Sequence, residues 1–314
     1  MPSNVFCLMG PTASGKTAIA CELIQHYPFE IISVDSAMIY REMDIGTAKP
    51  STLELLESPH HLINILDPIQ SYSAAQFCTD VQQLIDQITA RGKIPLLVGG
   101  TMLYFQALQQ GLSSMPPADE SLRQQLNQRA KEEGWESLHA QLAAVDSLAA
   151  ARIHVHDTQR IQRALEVYLL TGKPITEFLA QDTTNNKYSF INLALFPKDR
   201  LWLHQRIAQR FDLMLQQNFV DEVKALLEKW QLPPASPAMR CVGYRQAREY
   251  LQGLDDFASF REKGIAATRQ LAKRQLTWLR HWQNVQYLDC DSGNSTREIM
   301  AIIQEILDNA ANEN

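Results

Sequence analysis

Short apolar runs and stretches of helical period alternate along the first third of the chain. Val5 to Met9, Ile31 to Val34 and IPLLVGGT (Ile94 to Thr101) are dominated by apolar residues. A strand with one wet face alternates apolar and polar positions, so runs like these fit strands covered on both faces. AIACELIQHY follows the first run with a helical pattern. A second helical pattern runs from Ser73, placed as an N-cap, to about Arg91, with Gly92 just past its end. A third continues from Thr101 to about Gln110. This alternation predicts a parallel sheet with helices on both faces.

The period changes after Gly111. SSMPPAD reads as a linker. From Asp119 to about Gln181 the periodicity is helical, with Asp157 placed to cap one helix and Gly172 and Pro174 to stop it. TTNNKYS is a polar loop, and FINLALF (Phe190 to Phe196) returns to a strand pattern. The expected architecture is an α/β parallel-sheet core with an inserted all-helical domain. The core takes residues 1–112 and 190–314, the insertion residues 113–189. Long helices are expected from Asp199 to Trp230 and from Asp256 to Trp282, then a strand around Val285 to Asp289 and a last helix from about Thr296. His60-His61 has no third metal ligand nearby and reads as a turn or packing feature.

The net charge of −6 argues against a nucleic-acid partner until its distribution is read. Between Arg240 and Arg280 stand nine Lys and Arg against four Asp and Glu. RQLAKRQLTWLR interleaves Arg269, Lys273, Arg274 and Arg280 with Leu271, Leu276 and Leu279, a basic stripe beside an apolar one. RCVGYR sets two arginines and Tyr244 around a glycine, a composition suited to gripping a nucleotide. The five cysteines show no C-x-x-C spacing, which argues against a disulfide framework or zinc module. No apolar run approaches the roughly 20 residues of a membrane helix. The N-terminus opens directly on a strand pattern, so a cytoplasmic monomer without membrane contact is expected.

GPTASGKT (Gly10 to Thr17) matches G-x-x-x-x-G-K-[ST], after a strand and before a helix. Its glycines let backbone N–H groups turn toward phosphate oxygens, and the helix N-terminus adds partial positive charge. Lys16 brings a full charge, and the Thr17 hydroxyl is placed to hold Mg²⁺. This motif implies pyrophosphate binding without specifying a nucleotide. Asp35 ends a strand at the carboxyl edge, where open α/β sheets bind ligands. It is a general base or metal ligand on one reading, a cap for Ser36 onward on the other. P-loop NTPases carry a metal-holding acid after another strand; here LLV leads into Gly99-Gly100-Thr101. The glycines suggest that something flat approaches the backbone closely. Thr101 offers a hydroxyl to a ligand or a cap to the next helix. Arg206 and Arg210, spaced i, i+4, share a helix face that reads either as a reach toward a diphosphate or as a solvated face paired to acids.

GPTASGKT, ISVDSAMIY, MDIGTAKP, LLVGGTMLY, RCVGYRQ and TRQLAKRQLTWLR, in this order, resemble the bacterial tRNA dimethylallyltransferase (IPP transferase) family across essentially the whole chain. The resemblance implies transfer of a dimethylallyl group from dimethylallyl diphosphate, with Mg²⁺, to N6 of the adenosine just 3′ of the anticodon. The tRNAs are those reading codons that begin with U. By resemblance Gly10, Thr12, Ala13, Ser14, Gly15, Lys16, Thr17 and Arg210 bind the diphosphate. Asp35 is the general base, with Lys16 and Thr101 also catalytic. Asp35, Ser36, Ala37, Met38 and Thr101 lie at the tRNA site. Further matches to tRNA contacts are Arg123; Gln159, Arg160, Ile161, Gln162 and Arg163; and Arg240, Cys241, Val242, Gly243, Tyr244 and Arg245. The last stretch is Lys273, Arg274, Gln275, Leu276, Thr277, Trp278, Leu279 and Arg280. The insertion is expected to grip the anticodon stem-loop. Asn218 stands where the resemblance leads one to expect glycine, and asparagine tolerates left-handed backbone. A small-molecule or nucleotide kinase and a non-catalytic RNA-binding switch are the rival readings; the first needs ATP, and the second makes Asp35 dispensable.

Overall fold

The computed structural model describes residues 3–111, 115–180, 187–234 and 236–312. In chain order the elements are β1 (Ser3–Met9), α1 (Lys16–His26), β2 (Phe29–Val34), α2 (Thr52–Glu57), β3 (His60–His61), α3 (Ala74–Ala90), β4 (Ile94–Gly99) and α4 (Met102–Gln110). The helices α5 (Glu120–Glu133), α6 (Trp135–Val145), α7 (Ser147–Arg152), α8 (Thr158–Thr171) and α9 (Ile175–Leu179) follow. The chain closes with β5 (Tyr188–Leu195), α10 (Arg200–Gln216), α11 (Phe219–Trp230), α12 (Tyr244–Leu251), α13 (Phe257–Arg280), β6 (Val285–Leu288) and α14 (Ser295–Asn312). Contacts divide it into two compact units, residues 1–107 with 186–314, and residues 108–185.

In the first unit six parallel strands lie in the order β3-β2-β4-β1-β5-β6. Phe6, Leu8, Leu96, Val98, Leu193 and Leu195 pack with Ile19 and Leu23 of α1 and with Ile299 and Ile303 of α14. The alternate residues Val5, Cys7, Met9 and Leu97 are as deeply buried. Successive side chains of a strand point to opposite faces, so both faces are covered. This explains the unbroken apolar runs. A Ser73 capping box starts α3, and Gly92 follows it at φ 70°.

A second apolar cluster lies beyond the sheet's carboxyl edge. It joins Ala13 and the segment Ile39 to Met43 to Phe211, Phe219, Val223, Tyr244, Phe260 and Leu276 of α10 to α13. The single helix expected from Asp199 to Trp230 is two helices. Asn218 takes φ 66° and ψ 39° at the start of α11, and this turn lets both helices bury an apolar face in one cluster. His60-His61 is a two-residue strand rather than a turn, pairing with Ile31 and Ile32 of β2. Tyr188 and Ser189, expected in a loop, belong to β5 and extend its pairing with β1. Residues 112–114 of the linker and 181–186 of the polar loop lie outside the described residues.

The second unit is helical. Leu126, Leu138, Leu142, Ile161 and Leu165 form its core. Asp157 caps α8 by accepting the Arg160 N–H, and Gly172 ends it at φ 72°. Glu166 is fully buried, yet both oxygens are engaged: Arg123 and the Asp119 N–H reach Oε1, and Arg123 and Arg163 reach Oε2. Burial alone raises a carboxyl pKa, but here the hydrogen bonds of Arg123, Arg163 and the Asp119 amide bring it below the ordinary value.

Candidate active site

Three strands end side by side. Gly99 at the end of β4 pairs with Met9 of β1 on one side and Val34 of β2 on the other. The residues that follow, Gly10, Asp35 and Gly100, therefore share one edge. Beyond Met9 the chain turns through Ala13 at φ 64° and Gly15 at φ 95°, and α1 opens on Lys16 and Thr17. Gly10 keeps this turn close, since a Cβ there would crowd Ser14 Oγ at 2.9 Å and the Leu195 carbonyl at 3.1 Å. Lys16 Nζ folds back over the loop and donates to the carbonyls of Gly10 (2.9 Å) and Pro11 (2.7 Å). Burial of the ammonium, reinforced by the Arg210 charge, lowers its pKa to about 7.

Asp35 caps the segment that follows it: Oδ1 accepts the N–H groups of Ala37 (2.8 Å) and Met38 (3.2 Å). The same side chain lines the cavity described below. The Thr101 hydroxyl accepts the Ser36 N–H at 3.1 Å, joining the ends of β2 and β4. The expectation that Gly99 and Gly100 admit something flat is corrected by what approaches them. A Cβ at Gly99 would meet the Val34 carbonyl at 2.0 Å, and one at Gly100 the Gln275 amide at 2.3 Å. The protein's own chain makes the close approach.

A cavity of about 570 Å³ opens on this edge. Lys16, Thr17 and Arg210 line one part, Asp35, Ser36 and Thr101 another, and Ile207, Phe211, Met214, Leu271 and Trp278 add apolar wall. Arg210 donates to the Thr47 carbonyl at 3.1 Å. Arg206, one turn earlier, instead donates to the Ala13 carbonyl at 2.9 Å and braces the phosphate loop. The Thr17 hydroxyl and Asp35 carboxylate are oxygen donors of the kind a hard divalent cation takes. No group of three or more His, Cys, Asp or Glu able to hold a metal occurs among the described residues.

The stretches matched to RNA divide by burial. Arg240 and Arg245 are exposed, whereas Gly243 and Tyr244 are buried. Tyr244 packs edge-on against Phe219 and gives its hydroxyl to Glu222 at 2.6 Å, so its ring is not available for stacking on a base. On α13 Lys273, Arg274, Thr277 and Arg280 are exposed; Leu276 and Leu279 face the core, and Gln275 is buried at the cavity. In the helical unit Gln159 and Arg160 are exposed and Ile161 is core. Gln162 bonds to the Arg123 carbonyl and Asn127, while Arg123 and Arg163 hold Glu166. A helix buries one face whatever its motif, and the motif includes both faces.

Sequence reasoning missed two residues that shape the cavity. Glu222 accepts the N–H groups of Asp44, Ile45 and Gly46, fixing the segment whose Thr47 carbonyl meets Arg210. Lys49 donates to the Tyr40 carbonyl and to Asp44 and Asn64. MDIGTAKP was the available signal; the distant Glu222 carries none of its own.

A parallel sheet, a glycine-rich loop after its inner strand β1, and a helix opening on Lys16-Thr17 define the P-loop NTPase-like class. Within that class the comparisons agree. The family described as IPP transferase matches residues 38–282. A tRNA dimethylallyltransferase of Legionella pneumophila (strain Corby) is 60% identical over 98% of this chain and 99% of its own. One from Paraburkholderia phymatum is 54% identical over 98% of each. The solved structure of a Bacillus halodurans tRNA isopentenylpyrophosphate transferase superposes with a TM-score of 0.72 at 34% identity, covering 99% of both chains. A eukaryotic dimethylallyltransferase solved acting on tRNA gives 0.81 at 27% identity, over 98% of this chain and 80% of that one. The chain belongs to the IPP transferase family and is a transferase.

Proposed function

We propose that the chain transfers the dimethylallyl group of dimethylallyl diphosphate to N6 of the adenosine just 3′ of the anticodon (tRNA position 37), in tRNAs reading codons that begin with U. The products are N6-isopentenyladenosine and diphosphate. One observation carries the reading: Lys16, Arg210 and Asp35 line the same cavity. Relatives named for this reaction, and a structural neighbour acting on tRNA, support it.

An exocyclic amine in a stacked loop is out of reach, so the adenine enters the cavity flipped out of its stack. Its N6 attacks the donor's first carbon as the carbon–oxygen bond to diphosphate breaks, the bonding pair leaving with oxygen. Asp35 takes the N6 proton, its carboxylate held by two backbone N–H groups on Oδ1. The Thr101 hydroxyl stands beside Ser36 at the nucleotide side. Negative charge growing on the diphosphate meets the Lys16 ammonium, the Arg210 guanidinium and the N–H groups of Ala13, Gly15, Lys16 and Thr17. The Thr17 hydroxyl would hold Mg²⁺, which would supply further positive charge at the leaving group. Ile207, Met214, Leu271 and Trp278 suit the prenyl tail and exclude water.

The reaction needs no phosphoryl transfer, which fits Gly99-Gly100-Thr101 where an NTPase has its acid. The helical unit of residues 108–185 is assigned to the anticodon stem-loop, through Gln159 and Arg160. Among the described residues no helix is long and apolar enough to cross a membrane. Mass spectrometry of tRNA nucleosides after incubation with protein, donor and Mg²⁺ tests the proposal. N6-isopentenyladenosine is expected; unmodified adenosine together with ATP consumption moves the reading to a kinase.

A further inference from the structure

Gln275 is buried on α13, and its carboxamide spans two loops of the site. Oε1 accepts the Thr12 N–H at 2.8 Å, and Nε2 donates to the Gly100 carbonyl at 2.9 Å. The partners fix the amide's orientation, because a backbone N–H only donates and a carbonyl only accepts. Thr12 belongs to the phosphate loop; Gly100 precedes Thr101 and follows β4. The ladder between β1 and β4 ends at Met9 and Gly99. Just beyond that point, this one side chain replaces the ladder. Gly100 makes room for it, since a Cβ there would come within 2.3 Å of Nε2.

We propose that Gln275 is a positioning residue: its carboxamide sets the separation between the diphosphate cradle and the side of the cavity that carries Thr101 and Asp35. The proposal rests on the prenyl-transfer reading of that cavity. Lys273, on the same helix turn, is exposed, and Arg274 is exposed while also lining the cavity. One helix therefore bears exposed charge and the buried tie, and Gln275 acts through Thr12 and Gly100 rather than as an RNA contact.

The test uses the full-length protein. Gln275→Leu keeps the bulk and loses both hydrogen bonds. With folding checked by thermal unfolding, kcat is expected to fall about 10- to 100-fold, the scale on which a misplacement of about 1 Å acts. Affinity for tRNA should stay at the wild-type level. A residue that only stabilises the fold lowers the folded fraction and leaves kcat per folded molecule unchanged, an outcome that overturns the proposal. If Gln275→Leu does not fold, Gln275→Glu decides. An ionised Glu accepts from Thr12 but sets oxygen against the Gly100 carbonyl; a protonated one restores both bonds. The ratio of variant to wild-type kcat should then climb as pH falls, and a flat ratio overturns the tie. If wild-type protein makes no isopentenyladenosine, the prenyl-transfer reading has failed. The tie is then judged by calorimetry with inorganic diphosphate and Mg²⁺. Weaker binding by either folded variant supports it, and equal binding overturns it.

Discussion

A carboxylate that caps a loop and also takes a proton must divide its two oxygens. Asp35 gives Oδ1 to the Ala37 and Met38 N–H groups, which holds the carboxylate still. Asp35→Asn preserves an acceptor for those bonds and removes the base. It should bind tRNA and donor while turnover falls about 10²- to 10⁴-fold; normal single-turnover rates would assign Asp35 to structure alone. Lys16 yields a prediction with a sign. Burial, then Arg210, lowers its pKa to about 7, so the free protein carries an ammonium below that pH and an amine above it. A diphosphate prefers the ammonium. Donor affinity, measured by calorimetry, should therefore decline as pH rises from 7 to 9, by at most about tenfold per unit for one proton. Lys16→Arg, charged throughout, should lose that dependence. A decline that persists in the arginine variant would place the titrating group elsewhere. The phosphate loop and Asp35 were legible in the sequence because both depend on a handful of adjacent residues at a strand end. The Gln275 tie was not, because its partners lie 263 and 175 positions away.

At the scale of elements, α13 separates its charges from its core contacts. Lys273 and Arg274 are exposed while Leu276 and Leu279 are buried. Affinity for tRNA should fall with salt at a log–log slope of about −0.7 to −0.9 per neutralised phosphate. Lys273→Ala or Arg274→Ala should flatten that slope by about one unit if each side chain meets a phosphate. Filter binding across a salt series reads this, and unchanged slopes move the RNA surface to another element. The basic and apolar stripes of α13 were readable from periodicity alone. The break between α10 and α11 was less so: Asn218 in the left-handed region is permitted by the residue but demanded by the cluster both helices share.

For the whole molecule, the division of labour follows from where side chains are spent. Every residue assigned to the diphosphate lies in the unit of residues 1–107 and 186–314. The helical unit invests Arg123 and Arg163 in the buried Glu166, which leaves Gln159 and Arg160 as its exposed candidates for RNA. Replacing residues 111–186 with a short Gly/Ser linker should leave donor affinity nearly intact. Affinity for tRNA should drop by orders of magnitude, and prenylation with it. Calorimetry and filter binding on the same folded protein test both halves; retained tRNA affinity would return recognition to the sheet unit.

The sequence by itself determined the parallel α/β plan, the phosphate loop, the carboxylate at the strand end and the helical character of the middle segment. Each rests on local periodicity or on chemistry carried by adjacent residues. Only the tertiary structure decided which members of a motif face the site and which face the core. It sorted Arg210 from Arg206, exposed Lys273 from buried Gln275, and Gln159 from Arg163. Burial and hydrogen-bond partnership depend on elements that meet from far along the chain, and no window of sequence contains both partners.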